Sequence, residues 1–143
     1  AMGKYDQYII TTSRPLELTH YRLQPDVRRS TVWMDSSLVD GACNMECVWY
    51  YKPFDGPPHH VEEDSDEILG FFGTNQEDPS DLGGVIDFRF EDEWVTLTKS
   101  CLIYIPKGMY HCPFLVKEVR SPIFHIAITP QRKFAKRRSA PQS

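Results

Sequence analysis

Two segments of the chain carry histidine and carboxylate residues at spacings that suit a metal ion. In the first, alternation along an extended segment places His60 and Glu62 on one face. A turn then reverses the chain, so that Glu67 begins the returning strand beside them. In the second segment, His111 begins a strand just after a Pro-x-Gly turn at residues 106–108. Imidazole nitrogens and carboxylate oxygens suit iron, manganese, zinc, nickel or copper.

Strands must position these residues, and the chain is strand-like almost throughout. Short runs rich in Val, Ile, Phe, Trp, Tyr and Thr are separated by 11 prolines and 8 glycines, and helical periodicity is hard to find. The acidic triplet Glu91–Glu93 predicts a hairpin turn. Many short strands at this spacing predict an all-β sandwich or barrel. The predicted strands are Tyr8–Thr12, Thr31–Met34, Glu46–Tyr51, Ile68–Phe72, Val85–Phe90, Trp94–Thr98, Cys101–Ile105 and Ile123–Thr129.

The two segments resemble the motifs of the cupin family, G-x5-H-x-H-x(3,4)-E-x6-G and G-x5-P-x-G-x2-H-x3-N. The resemblance covers roughly residues 45–130. Within the family, the sequence is similar to a bacterial and fungal subgroup of small, single-domain cupins. Glu62 stands where the first motif has its second histidine, and Leu115 replaces the final asparagine of the second motif. The resemblance implies a single-domain jelly-roll β-barrel with an extended N-terminal arm. The matching residues are His60, Glu67, Gly73, Pro106, Gly108 and His111.

The resemblance also implies a mononuclear divalent metal, either iron, manganese, zinc, nickel or copper. Its ligands would be His60, Glu67 and His111, completed by Glu62. His59 is a rival for the last place, but adjacent residues on a regular strand face opposite ways, so this set requires a bulge. A further alternative is that both histidines are exposed loop residues and that the metal site has been lost.

The resemblance implies a small-molecule ligand beside the metal. Leu69, Phe71, Tyr104 and Phe114 would form an apolar wall, and His125 is either a contact in this cavity or a structural histidine. The function that we expect is metal-dependent chemistry of the oxygenase, isomerase or decarboxylase type on a small organic metabolite. The alternative is a non-catalytic small-molecule-binding or sensor cupin. A homodimer is expected from the resemblance alone.

Charge and composition predict three regions and limit the partners. Residues 1–44 form the arm and first strands, 45–130 the barrel core, and 131–143 a basic tail that we predict to be disordered. Without five basic residues of the tail, the net charge of −4 becomes −9, which argues against nucleic acid as the main partner. No apolar run is long enough for a membrane helix, and no secretory signal begins the chain, so we expect a cytoplasmic protein with four reduced cysteines.

Overall fold

The computed structural model describes residues 3–15, 24–57, 60–61 and 64–130, which contain ten strands and one turn of 3-10 helix at Asp6–Tyr8. No helix of this part of the chain is long and apolar enough to cross a membrane. The strands are β1 Arg28–Met34, β2 Asn44–Tyr50, β3 Phe54–Asp55, β4 His60–Val61, β5 Glu67–Phe72, β6 Asp81–Phe90, β7 Glu93–Lys99, β8 Cys101–Ile105, β9 Tyr110–Val119 and β10 Ile123–Thr129.

These strands form two antiparallel sheets. The first sheet has the order β1-β2-β10-β5-β8, and the second has the order β3-β9-β6-β7, with β4 paired to β9. Neighbours in each sheet are often distant in the sequence, as in a jelly roll. The prediction of an all-β jelly-roll fold is therefore confirmed.

The core lies between the two sheets and is built by alternation. On β10, for example, Ile123 and His125 are buried, whereas Phe124 and Ile126 are only partly buried. Each large apolar side chain that is fully buried contributes about 1.5–3 kcal/mol. The main apolar members of the core are Val48, Tyr50, Leu69, Phe71, Leu82, Ile86, Phe88, Ile103, Ile105, Phe114, Val116 and Ile123.

The predicted first strand, Tyr8–Thr12, is wrong. Tyr8 belongs to the turn of 3-10 helix, whose start is held by a hydrogen bond from the backbone N–H of Gly3 to the carboxylate of Asp6. Tyr8 and Ile9 are exposed, so this segment gains no burial that would stabilise a strand. Thr12 still lies beside β1, since its carbonyl accepts a hydrogen bond of 3.2 Å from the N–H of Trp33.

Two strands of the second sheet, β6 and β9, are longer than the short apolar runs in the sequence from which strands are predicted. β6 begins at Asp81, before the predicted strand Val85–Phe90, and β9 continues through Pro113. The pairing of β6 with β9 shifts register between Phe88 and Phe90, opposite this proline. A residue without an N–H is tolerated in a strand at such an irregularity. The predicted hairpin is confirmed, since β6 ends at Phe90 and β7 begins at Glu93.

Two of the predicted regions are described only in part. Within the arm, the N–H of Arg14 donates to the hydroxyl of Ser30, and its guanidinium lies 3.2 Å from the carboxylate of Glu46. These contacts fix this part of the arm to β1 and β2. Residues 16–23 of the arm and the predicted tail, 131–143, lie outside the described residues.

Candidate metal centre

His111 lies at the start of β9, where a tight turn presents it to the core. The N–H of Met109 donates to the carbonyl of Pro106, and Gly108 has a φ of 87°, a conformation that side chains with a Cβ rarely adopt. His111 is fully buried, and its backbone follows directly from this turn. The Pro-x-Gly element of the sequence thus has a physical role, which is to turn the chain so that the imidazole enters the interior.

Glu67 and His111 are in direct contact across the two sheets. Glu67 is the first residue of β5 in the first sheet, and its Oε1 lies 2.8 Å from Nε2 of His111 in the second. The side chain of His111 is 1% exposed and that of Glu67 is 14% exposed. Two of the four predicted ligands therefore meet in the folded chain.

Both ring nitrogens of His111 face oxygen acceptors. Nδ1 lies 3.1 Å from the carbonyl oxygen of Met109, and Nε2 lies against the carboxylate of Glu67. A neutral imidazole has one N–H, so it can donate to only one of these oxygens. A second ring proton, a proton on Glu67 or a cation shared with Glu67 would satisfy the other side. When Nδ1 donates to Met109, the lone pair of Nε2 faces Glu67, which is the usual arrangement of a metal-binding histidine.

The separation of the two donor atoms also fits a shared ion. Ligand atoms about 2.1 Å from one ion and at roughly right angles to each other are about 3 Å apart. Oε1 of Glu67 and Nε2 of His111 are 2.8 Å apart. The chemistry of this pair, one imidazole and one carboxylate, suits the divalent metals that the sequence predicts.

The other predicted ligands are described only in part. β4 pairs with β9, and this register places the backbone of His60 opposite that of His111. His59 and Glu62 lie outside the described residues, so the choice between them is not tested. Among residues 3–15, 24–57, 60–61 and 64–130, no group of three or more metal-binding side chains lies close enough to hold an ion.

Four of the five predicted cavity residues come together in the core. Leu69, Phe71 and Phe114 belong to one buried cluster, and the rings of Phe71 and His125 stack with centroids 4.4 Å apart. Tyr104 is separate from them. Its side chain is 58% exposed, because its neighbours on β8, Ile103 and Ile105, occupy the inward positions.

His125 is held as a neutral residue. Its Nδ1 donates to the carbonyl of Gly70 at 2.8 Å, and its ring lies between those of Tyr50 and Phe71. Burial lowers the pKa of His125 from its ordinary value of 6.5 to about 3. These contacts favour the structural interpretation of His125 over a role in proton transfer.

Cys112, the neighbour of His111 on β9, is also inside. Neighbours on a regular strand point to opposite faces, yet His111 and Cys112 are both buried. Cys112 has a φ of 67°, and the register shift of β9 lies beside it, so alternation fails at this point. Burial raises the pKa of the Cys112 thiol to about 12, and the charge of Glu67 adds to this effect. The thiol is therefore no nucleophile at neutral pH.

A second group of charges, which the sequence did not indicate, lies at β1 and β2. Glu46 is 3.2 Å from the guanidinium of Arg14 and 3.7 Å from that of Arg28. All three side chains are at least three-quarters buried. Arg14 belongs to the arm, so this group joins the arm to the first sheet.

The comparisons with known proteins agree with this architecture. No protein-family model matches the sequence, and neither does any curated protein. A cupin protein from Bacteroides fragilis is 17% identical over 80% of this chain and 85% of that chain, with a TM-score of 0.50. An oxalate oxidase in complex with the substrate analogue glycolate is 14% identical over 84% of this chain and 59% of that chain, with a TM-score of 0.51.

A third similar structure is KdgF from Halomonas sp., which is 16% identical over 86% of this chain and 96% of that chain, with a TM-score of 0.48. Identities this low carry information about architecture alone. Strand order and the first two structural likenesses lead to one conclusion. The chain has the cupin fold.

Proposed function

We propose that this chain is a metal-dependent cupin that acts on a small organic metabolite. Glu67, His111 and His60 would bind one divalent ion, and Glu62 or His59 would complete the set. The observation that carries this proposal is the contact of His111 with two acceptors, Met109 and Glu67, in a buried site. A cation between Nε2 and the carboxylate resolves that conflict without a second ring proton.

Residues around the pair support such a site. With the proton of His111 on Nδ1, the carbonyl of Met109 accepts it, and the lone pair of Nε2 is directed toward Glu67 and the proposed ion. Leu69 follows Glu67 on the same face of β5 and is buried, as is Phe114 on β9. These apolar side chains exclude water from the inner side of the site and strengthen its electrostatic interactions.

A bound divalent ion supplies Lewis acidity and open positions for substrate oxygens. The substrate class that follows is a small metabolite with oxygen donors, such as an organic acid or keto compound. The reaction would be an oxygenation, an isomerisation or a decarboxylation. The oxalate oxidase of similar fold, which is in complex with glycolate, agrees with a small oxygen-rich substrate.

Metal content tests the proposal directly. We expect wild-type protein, purified without an affinity metal, to contain about one iron, manganese, zinc, nickel or copper per chain by plasma mass spectrometry. Glu67→Gln keeps the shape of the side chain but removes its charge. It should weaken metal binding by more than the roughly 10–100-fold that losing an outer-shell partner costs. His111→Ala should abolish the stoichiometric metal.

Two variants serve as controls for this measurement. Glu118→Gln removes an exposed carboxylate near the far end of β9, and His125→Asn removes the other buried histidine. Both should keep the metal of the wild type. Metal that stays at the wild-type level in Glu67→Gln and His111→Ala would contradict the proposed centre.

The same protein distinguishes the alternative function. If wild-type protein takes up none of these ions after incubation with each, but binds a small metabolite in calorimetry, a non-catalytic ligand-binding or sensor role is supported. If it binds the metal and turns over a substrate, His111→Ala should lose that activity while keeping its fold by circular dichroism. Full activity in that variant would exclude the metal-dependent enzyme.

A further inference from the structure

Three charged side chains meet on the inner face of the first sheet. They are Glu46 on β2, Arg28 on β1 and Arg14 of the arm, and we call them the charge group. Val48 and Tyr50 of β2 belong to the core, so Glu46, which precedes Val48 by two residues, points to the same side of the sheet. Arg28 pairs with Tyr50 and therefore shares this side. The charge group thus belongs to the interior between the two sheets.

The register of the strands places the charge group near the contact of Glu67 with His111. Glu46 pairs with Ala127, and Ala127 pairs with Leu69, so these three lie side by side across β2, β10 and β5. Leu69 follows Glu67 on one face of β5. Two strand spacings of about 4.8 Å and two residues of about 3.3 Å separate the Cα atoms of Glu46 and Glu67 by about 12 Å. The two sites are therefore about the length of a small molecule apart on one inner surface.

The surface between the two sites is not filled by a large side chain. Ala127 lies between Glu46 and Leu69 and is the smallest of the three. It is only partly buried, although it lies on the inner side of a central strand. The side chains of Glu46 and Glu67 are 16% and 14% exposed. Solvent therefore reaches the interior between the charge group and Glu67, and a small ligand can follow the same path.

Arg14 has hydrogen-bond donors that the described residues do not use. Its Nη1 donates to Glu46 at 3.2 Å, and this is the one hydrogen bond that its side chain makes within the part of the chain that the structure describes. Its Nε is buried and has no acceptor among those residues. The charge of Arg14 also reaches Asp35, but that carboxylate accepts hydrogen bonds from Ser37. A guanidinium presents five N–H groups in a planar fork that matches a carboxylate, so Arg14 retains the capacity to bind one.

We propose that the charge group binds an acidic group of the substrate, a carboxylate or a similar oxyanion, at the end that is remote from the metal. Arg14 and Arg28 supply charged donors, and Glu46 holds the two guanidinium groups together. The substrate is then an organic anion of a length comparable to the separation of Glu46 and Glu67, with an oxygen donor for the metal at its other end. The inference rests on the proposed function for that other end only. Because Arg14 belongs to the arm, the arm supplies a residue that determines specificity.

Dicarboxylates of increasing length, from succinate to suberate, test this assignment in isothermal titration calorimetry. We expect wild-type protein to bind at least one of them, and Arg14→Gln to raise its dissociation constant about 10–100-fold, because charge-assisted hydrogen bonds are lost. The neutral diamide of the same acid should lose no affinity. Arg14→Lys keeps the charge but not the planar fork, so it should retain only part of the affinity for the acid. The ratio of the two ligands in one protein does not depend on the fraction that is folded, so a loss of stability leaves the test valid.

The matched control is Arg120→Gln, which removes an exposed guanidinium just after β9 and should bind the acid like the wild type. An Arg14→Gln protein that binds the acid as tightly as the wild type overturns the proposal, as does a wild type that binds none of the acids. Metal content separates this inference from the proposed function. If the wild type contains no metal and His111→Ala binds the acid unchanged, the metal centre is excluded, whereas weaker binding by Arg14→Gln still supports the acid site.

Discussion

At the scale of single residues, the sequence was most informative where a backbone turn and a side chain act together. The resemblance to the cupin motifs, carried by Pro106, His111 and Glu67, implied that Glu67 and His111 lie in one site, and their side chains are in contact. The partners of the ring nitrogens could not be predicted. They depend on the carbonyl orientation of Met109 and, for His125, of Gly70, which only the folded backbone sets.

His125 predicts a specific loss of stability in acid. Burial lowers the pKa of His125 to about 3, so below about pH 6.5 the unfolded chain binds a proton at this residue that the folded chain does not. The stability that depends on neutral His125 is therefore complete above pH 6.5. It falls by about 1.4 kcal/mol per pH unit as the pH drops toward 3.

The variant His125→Asn keeps a donor near the carbonyl of Gly70 but does not titrate. We expect its free energy of unfolding in urea, measured between pH 6 and pH 4, to fall less steeply than that of the wild type, by about 1.4 kcal/mol per pH unit. Because the carboxylates are common to both proteins, their contribution cancels in the comparison. Equal slopes would show that His125 is protonated in the folded chain.

At the scale of elements, β9 shows where the alternation of apolar and polar residues no longer predicts which side chains of a strand are buried. Sequence reasoning placed only its beginning, because Pro113 interrupts the apolar run. The structure keeps the strand and shifts its register against β6, so that Cys112 lies inside beside His111. A bulge is a response to pairing with a neighbour, and it leaves no fixed signal in one strand alone.

Two glycines at the ends of strands should differ in their tolerance of a methyl group. At Gly73, which follows β5, a Cβ would overlap the backbone carbonyl of Asp81 at the start of β6. Gly73→Ala should therefore cost about 3 kcal/mol or more. At Gly108 a Cβ meets nothing, so Gly108→Ala should cost only the roughly 1–2 kcal/mol of the left-handed conformation.

Urea unfolding of both variants measures this difference, and each variant serves as the control of the other. If Gly73→Ala is no less stable than Gly108→Ala, the approach of β5 to β6 is looser than the structure indicates. Gly108→Ala is also a probe of the site. It changes the turn before His111 and should lower metal content without unfolding the chain.

At the scale of the whole molecule, the fold was predictable and the exterior was not. Short strands and the cupin-like motifs predicted an all-β jelly roll, and two sheets enclose the core. Alternation in the sequence could not show which residues of the first sheet face the core and which face outward, because apolar residues stand on both faces. Assigning residues to a face requires the pairing register of the strands. That register is set between partners, such as β2 and β10, that are far apart in the sequence.

The position of β10 has a consequence for how the chain folds during synthesis. It is the last strand of the part of the chain that the structure describes, yet it lies in the middle of the first sheet, between β2 and β5. About 70 residues separate the end of β2 from the start of β10, which at about 5–20 residues per second is a delay of several seconds. Until β10 emerges from the ribosome, β2 and β5 have open edges and no shared sheet. During this delay the edges of β2 and β5 can pair with other chains, which is the hazard of any exposed strand edge.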